Sequence, residues 1–182
     1  NDTANNELAL ITAVVNRAVL GNSSLDIPGI LAPEGGLAGF FNGTGPTTNR
    51  GNTPTTVDFL DGAADLPNPD PDSNTAILLS HLYQFFGPLL GCTTAGFPPY
   101  DGDPDMLRVH KFMVITQEQN DFFITQVEKS ASSFGVSNDD VTAIAVFLDT
   151  TFNTRCPPLV TEDDGLPSIL IGTNTSICQA DS

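Results

Sequence analysis

Basic side chains are scarce in this sequence. The 182 residues include six Lys and Arg against 22 Asp and Glu, which gives a formal net charge of −16 at pH 7. Nucleic-acid binding needs clustered cations that face the phosphates, and an anionic lipid surface repels an acidic chain. We therefore expect neither a nucleic acid nor a membrane as a partner, and we expect the charge to keep the surface hydrated.

Long apolar runs and several catalytic motifs are missing as well. No stretch approaches the 18 apolar residues of a membrane span. The sequence contains no His-Glu-x-x-His or Cys-x-x-Cys zinc motif, no Gly-x-Ser-x-Gly element of serine hydrolases and no glycine-rich phosphate loop. The acidic residues at 101–105 do not fit the EF-hand calcium pattern, and we interpret them as a solvated turn.

Four Asn-x-Ser/Thr sequons indicate export. They begin at Asn1, Asn22, Asn42 and Asn174, and such triplets are acceptors for N-glycosylation in secreted proteins. The residues shown begin with Asn and not with Met, which is typical of a processed mature form. We expect a secreted, extracellular glycoprotein.

Three cysteines leave an odd thiol in an oxidising compartment. We expect a disulfide between Cys156 and Cys178, because both flank an irregular tail. The spare Cys92 would then be buried, modified or bonded to another chain, which would give an oligomer.

Apolar side chains recur three or four residues apart in five segments, which predicts helices. The segments are residues 5–21, 75–90, 104–114, 116–133 and 137–152. Thr116 and Ser137 begin capping patterns, Gly135 ends the fourth helix, and Gly87-Pro88 is expected to kink or end the second. No strand pairing is predicted, so an all-α fold follows.

Two polar regions interrupt this helical pattern. Residues 42–73 predict an inserted surface loop that Val57, Phe59 and Leu60 pin to the core. Residues 156–182 predict an irregular tail, with 169–171 as a possible exception. The chain length suits one domain, and we assign it to residues 1–155.

The only two histidines, His81 and His110, both lie on apolar faces of predicted helices. An imidazole among Leu and Phe needs a partner. One interpretation is a core histidine bonded to a nearby carbonyl. The other is a shared apolar pocket that holds a flat ligand whose iron binds imidazole.

A series of short motifs has a characteristic order along the chain. The motifs are Phe85-Phe86, Gly91, Tyr100-Asp-Gly102, Met106-Leu-Arg-Val-His110, Ile115-Thr116, Phe122-Phe123 and Phe134-Gly135-Val136, with Leu37-Ala-Gly-Phe40-Phe41 upstream. In this order and spacing, they resemble the group I truncated haemoglobins.

The resemblance implies a globin-like, 2-on-2 helical fold that binds haem b. It implies that His110 is the proximal ligand of the iron and that His81 is the sixth ligand. The residues expected to contact the haem are Phe40, Phe41, Leu78, His81, Leu82, Phe85, Met106, His110, Ile115 and Phe123.

Three departures from the family pattern shape the functional expectation. The chain at residues 42–73 is longer than the family's connection, and so is the loop before His110. The first helix contains no Tyr to donate a hydrogen bond to bound dioxygen. We therefore expect bis-histidyl iron used in electron transfer, redox sensing or the binding of O2 or NO.

Two alternatives remain open at this point. One is a haem-free extracellular binding or assembly module on the same fold. The other is a haem enzyme with peroxidase-like or nitric-oxide-consuming activity, although the sequence offers no distal acid–base pair and we assign no catalytic residue.

Overall fold

The computed structural model describes residues 3–66 and 68–153 with their side chains, and beyond them the backbone of four short strands. The described part is mostly helical, as the sequence predicts. Its helices are α1 (Ala4–Leu20), α2 (Asn74–Leu89), α3 (Met106–Val109), α4 (Gln117–Ser133) and α5 (Asn138–Phe152). Over the described residues, none of them has both the length and the apolar character that a bilayer crossing requires.

Hydroxyl side chains cap the four long helices. The side chains of Thr3, Ser73, Thr116 and Ser137 each accept a hydrogen bond from a backbone N–H of the first turn. At Thr116 the capping box is complete, as predicted. Gly135, just after α4, has a φ of 84°, a conformation that favours glycine and stops a helix.

Helix α2 ends at Leu89, one residue after Gly87-Pro88, so the predicted end is confirmed to within one residue. Pro88 fits in the last turn because a proline this near the C-terminus removes only one backbone bond. The following amide, that of Leu90, still donates to the carbonyl oxygen of Phe86 at 3.0 Å.

Helix α3 is much shorter than the predicted 104–114 segment. Asp105 caps its start by accepting from the Arg108 amide at 2.9 Å. The Nδ2 atom of Asn49 donates to the Arg108 carbonyl at 3.0 Å. The helix ends at Val109, and His110 lies in the turn that follows, where the Lys111 amide also donates to the Arg108 carbonyl at 3.4 Å.

The predicted absence of strand pairing was also wrong. Strands β1 (Thr48–Arg50) and β2 (Thr53–Thr55) form an antiparallel hairpin inside the predicted loop. Its two turn residues, Gly51 and Asn52, have φ angles of 60° and 61°. Positive φ at both positions is the geometry of the tight turn whose twist matches that of paired strands.

Short ladders also occur in the tail that we predicted to be irregular. Strand β3 (Arg155–Cys156) pairs with β6 (Ser176–Ile177), and β4 (Leu159–Thr161) pairs with β5 (Pro167–Ile169), both antiparallel. Cys178 lies outside the described residues, so the Cys156–Cys178 disulfide stays a prediction.

The core lies between α1, α2, α4 and α5. Ile11, Leu79, Val127 and Leu148 belong to one buried cluster that joins these four helices. A polar contact fixes the chain after α1 to this core, because Gln126 on α4 is buried and its Oε1 accepts from the Gly29 amide at 3.1 Å. The four helices therefore form a rigid frame for the shorter segments.

The inserted segment, residues 42–73, is anchored at both ends. The Phe59 amide donates to the Phe41 carbonyl at 2.7 Å. The Asp61 carboxylate accepts from the amides of Asn74 and Thr75, both at 3.1 Å, and these bonds lower the pKa of Asp61. Val57 is buried, as predicted. The segment therefore folds back onto the domain along its length.

Candidate functional site

A cavity of about 300 Å³ opens between α2, the α3 turn, the start of α4 and the inserted segment. This volume is at the lower end of the range for small-molecule pockets. Most of its walls are apolar. The structure brings all ten residues of the predicted site to this one cavity: Phe40, Phe41, Leu78, His81, Leu82, Phe85, Met106, His110, Ile115 and Phe123.

His110 occupies the turn after α3, deep in the domain. Its ring meets the Phe152 ring edge-on, with centroids 5.4 Å apart. Its Nδ1 atom lies 2.7 Å from the Met106 carbonyl oxygen. Although the ring is surrounded by protein, it keeps some accessible surface, because it borders the cavity.

The protonation state of His110 follows from these contacts. A carbonyl oxygen only accepts hydrogen bonds, so Nδ1 carries the proton and Nε2 keeps its lone pair. Burial lowers the pKa of His110 below the ordinary 6.5, an effect that the bond to the Met106 carbonyl opposes. The folded protein therefore holds a neutral imidazole with a lone pair on Nε2, the form that binds metals.

His81 lines the same cavity from α2 but lies nearer to solvent. Its side chain is 38% exposed, and its Nε2 atom is 3.4 Å from the Asp101 Oδ1 atom. The ring also packs edge-on against Tyr100, with centroids 5.6 Å apart. The structure therefore brings both predicted histidines to one cavity, with His81 engaged by a carboxylate at its rim.

Tyr100 also lines the cavity, whereas the sequence predicts only that it lies in a loop. Its ring packs against Phe85 at 5.8 Å, and burial, with Asp103 and Asp101 nearby, raises the pKa of its hydroxyl. The loop is held in place by the Asp101 amide, which donates to Gln84 Oε1 at 3.0 Å. The other tyrosine, Tyr83, does not line the cavity.

The inserted segment supplies cavity residues that the sequence analysis did not assign. They are Thr47, Thr48, Arg50 and Phe59. We expected Phe59 only to pin a surface loop, and the segment instead forms one wall of the cavity. The pair Gly51-Asn52 is a turn signal that could have indicated a hairpin, although we predicted none, and only the fold shows that this segment faces the cavity.

Helix α4 places a buried amide, Asn120, in the cavity wall. Asn120 is 3% exposed, and its Nδ2 atom has no hydrogen-bond partner among the described residues. Such a group costs free energy in the folded state. Because Nδ2 is itself inaccessible, it does not face the open space of the cavity.

Cys92, the cysteine that we expected to be unpaired within the chain, is buried at 6% exposure. A bond to another chain through it would therefore require local opening.

Two of the four predicted glycosylation sites lie among the described residues. Asn42 is exposed and Asn22 is partly exposed, while Asn1 and Asn174 lie outside the described residues. Glycosylation and export remain predictions.

Over residues 3–66 and 68–153, no group of three or more His, Cys, Asp or Glu is arranged to hold a metal ion. A porphyrin iron takes one or two protein ligands, so this finding does not bear on the cavity.

Comparisons of the chain with protein-family models, with curated proteins and with solved structures found no match.

Proposed function

We propose that this protein binds haem b in the cavity and that His110 is the protein ligand of the iron, on a fold of the truncated-globin type. When bound, the haem iron supplies one-electron exchange and the binding of small diatomic ligands. The observation that carries the proposal is the state of His110, a buried neutral imidazole whose Nδ1–H donates to the Met106 carbonyl. This is the usual arrangement of a metal-ligating histidine.

The cavity walls suit a flat apolar ligand. Phe40 ends a 3-10 turn and Phe41 follows it, while Phe85 comes from α2 and Phe123 from α4. Burying apolar surface is the main driving force for such binding, and the same walls exclude water from the His110 ring. A ligand held by the folded state alone would also stabilise the domain by mass action.

His81 and its partner Asp101 would control the access of external ligands to a bound iron. In the structure His81 Nε2 lies 3.4 Å from Asp101 Oδ1 at the rim of the cavity. Released from Asp101, His81 would be available as a second protein ligand of the iron and would compete with external ligands. This competition favours electron exchange, redox sensing or slow gas binding over oxygen storage.

Helix α1 contains no tyrosine that could donate a hydrogen bond to bound dioxygen. Tyr83, on α2, donates its hydroxyl proton to Asn16 Oδ1 at 2.8 Å and does not line the cavity. Tyr100 is the tyrosine at the cavity wall, and its hydroxyl lies 3.4 Å from the Asp103 carbonyl oxygen. This arrangement argues against a dedicated oxygen carrier.

Visible absorption spectroscopy with added haemin tests the proposal. We expect one equivalent to bind and to give a mainly low-spin, six-coordinate spectrum before and after reduction with dithionite, with a smaller high-spin fraction. His110→Ala should abolish stoichiometric binding. His81→Ala should keep the haem and open the sixth site to carbon monoxide or cyanide. A folded, colourless wild type that takes up no haemin would overturn the proposal and favour a haem-free binding module.

A further inference from the structure

The described part of the chain contains five Lys and Arg side chains, and four of them have partners. Arg17 donates to the Ser133 hydroxyl and lies over the Phe134 ring, and Arg108 pairs with Asp103 and Asp105. Lys111 donates to Asn52, and Lys129 pairs with Asp26. Among the described residues, the cation left over is Arg50.

The isolation of Arg50 is unexpected in so acidic a chain. With 22 carboxylates against six cations, each cation has many possible partners. The Arg50 guanidinium nevertheless makes no ion pair or hydrogen bond to the described residues, and Arg50 is an exposed residue of the cavity lining. A guanidinium is suited to bind carboxylates through two parallel hydrogen bonds.

The backbone fixes where Arg50 lies. It ends strand β1, directly before the Gly51-Asn52 turn. Two residues close to it in sequence bind the α3 segment: Asn49 donates to the Arg108 carbonyl at 3.0 Å, and Asn52 accepts from Lys111 Nζ at 2.8 Å. The position of Arg50 is therefore coupled to the segment that carries His110.

We propose that Arg50 binds a carboxylate of the ligand in the cavity, which for haem is a propionate. This inference rests on the proposed function. The ligand's apolar body would lie between the aromatic walls, while its carboxylate stays at the partly exposed rim. Because the net charge of −16 repels a carboxylate-bearing ligand, the cation offsets this repulsion at the point of entry. The inserted segment is then part of the binding site.

The experiment compares two ligands and three proteins. Dissociation rates of haemin and of haemin dimethyl ester, whose propionates carry no charge, are measured by transfer to excess apomyoglobin. The proteins are the wild type, Arg50→Gln and the control Lys129→Gln. The control removes one positive charge from a residue outside the cavity.

In the wild type we expect haemin to dissociate about two- to fivefold more slowly than its ester, the range for an exposed ion pair. Arg50→Gln should remove this difference and leave the ester's rate unchanged, whereas Lys129→Gln should preserve it. The difference should also vanish in about 1 M salt, where the screening length is about 3 Å.

The possible failures are distinguishable. If the wild type binds neither haemin nor the ester, the proposed function fails, and this inference fails with it. If the wild type binds both ligands with equal rates, haem binding stands and the role of Arg50 is overturned. If Arg50→Gln accelerates the loss of both ligands equally, Arg50 supports the cavity structurally and binds no carboxylate.

Discussion

The Nδ1 atom of His110 lies 2.7 Å from the carbonyl oxygen of Met106, four residues earlier at the start of α3. This one contact fixes both the tautomer and the direction of the ring. The backbone amide of His110 donates to the same carbonyl oxygen at 3.1 Å, so one acceptor holds both the ring and the backbone of this residue. The Asn49 contact to the Arg108 carbonyl at 3.0 Å joins the inserted segment to the same stretch of chain.

The stability of the haem-free protein should fall below about pH 6.5. Burial lowers the pKa of His110 below its ordinary value of 6.5. The unfolded chain therefore takes up a proton near pH 6.5, while the folded protein does so only at lower pH. The contribution of His110 is fully present above pH 6.5 and is lost as the pH falls through the folded pKa. Urea unfolding at pH 7.5 and 5.5 measures this.

His110→Gln is the matched variant, because glutamine retains a side-chain N–H donor and does not titrate. Between pH 7.5 and pH 5.5, the free energy of unfolding of this variant should fall less than that of the wild type. The difference between the two proteins should be at most about 1.4 kcal/mol per pH unit, the value for one proton. Both proteins retain His81, so that contribution cancels. An identical pH dependence in the two proteins would contradict the buried neutral state of His110.

Asp101→Asn should release His81 towards the iron. The Asp101 carboxylate lies 3.4 Å from His81 Nε2 and is 68% exposed, so the pair is weak and the expected effect is about two- to fivefold. We expect a larger low-spin fraction in the haem-loaded variant and carbon monoxide binding slowed by that factor.

Asp72→Asn is the control, since Asp72 is exposed and does not line the cavity. It removes the same charge and should leave both readouts unchanged. Faster binding of carbon monoxide in Asp101→Asn would mean that the carboxylate holds His81 near the iron and does not hold it away.

Substitution by Leu at two buried amide side chains on α4 should change the free energy of unfolding differently. Gln126 is 2% exposed and accepts from the Gly29 amide. Gln126→Leu leaves that amide unsatisfied and should lower the free energy of unfolding by about 1–3 kcal/mol. Asn120→Leu removes a donor that has no described partner, so it should be neutral or stabilising by up to about 1 kcal/mol.

Urea unfolding of the two haem-free variants at pH 7.5 provides the comparison. Comparable destabilisation by both substitutions would show that the Asn120 amide is satisfied in solution.

Much of the helical frame could be predicted from the sequence. The spacing of the apolar residues and the caps at Thr116 and Ser137 are local signals, and the structure places helices where they indicate. The cavity-lining residues on α2 and α4 share helix faces, so helical spacing alone brings them to one side of the chain.

The parts that escaped prediction depend on contacts distant in sequence. The strands of the β1–β2 hairpin are polar except for Pro54 and lack the apolar alternation that marks a strand. Tyr100 reaches the cavity because Gln84 binds the neighbouring Asp101 amide. Arg50 has no partner among the described residues because of where the carboxylates lie. Their positions are determined only when the chain folds.

Chemical rescue of the ligand position tests the central claim most directly. Haemin is titrated into His110→Gly with and without millimolar imidazole, and the Soret band is compared with that of the wild type. We predict that the variant loses stoichiometric binding and that imidazole, entering the space left by the side chain, restores it. A variant that binds one equivalent of haemin as tightly as the wild type without imidazole would contradict the assignment of His110 to the iron.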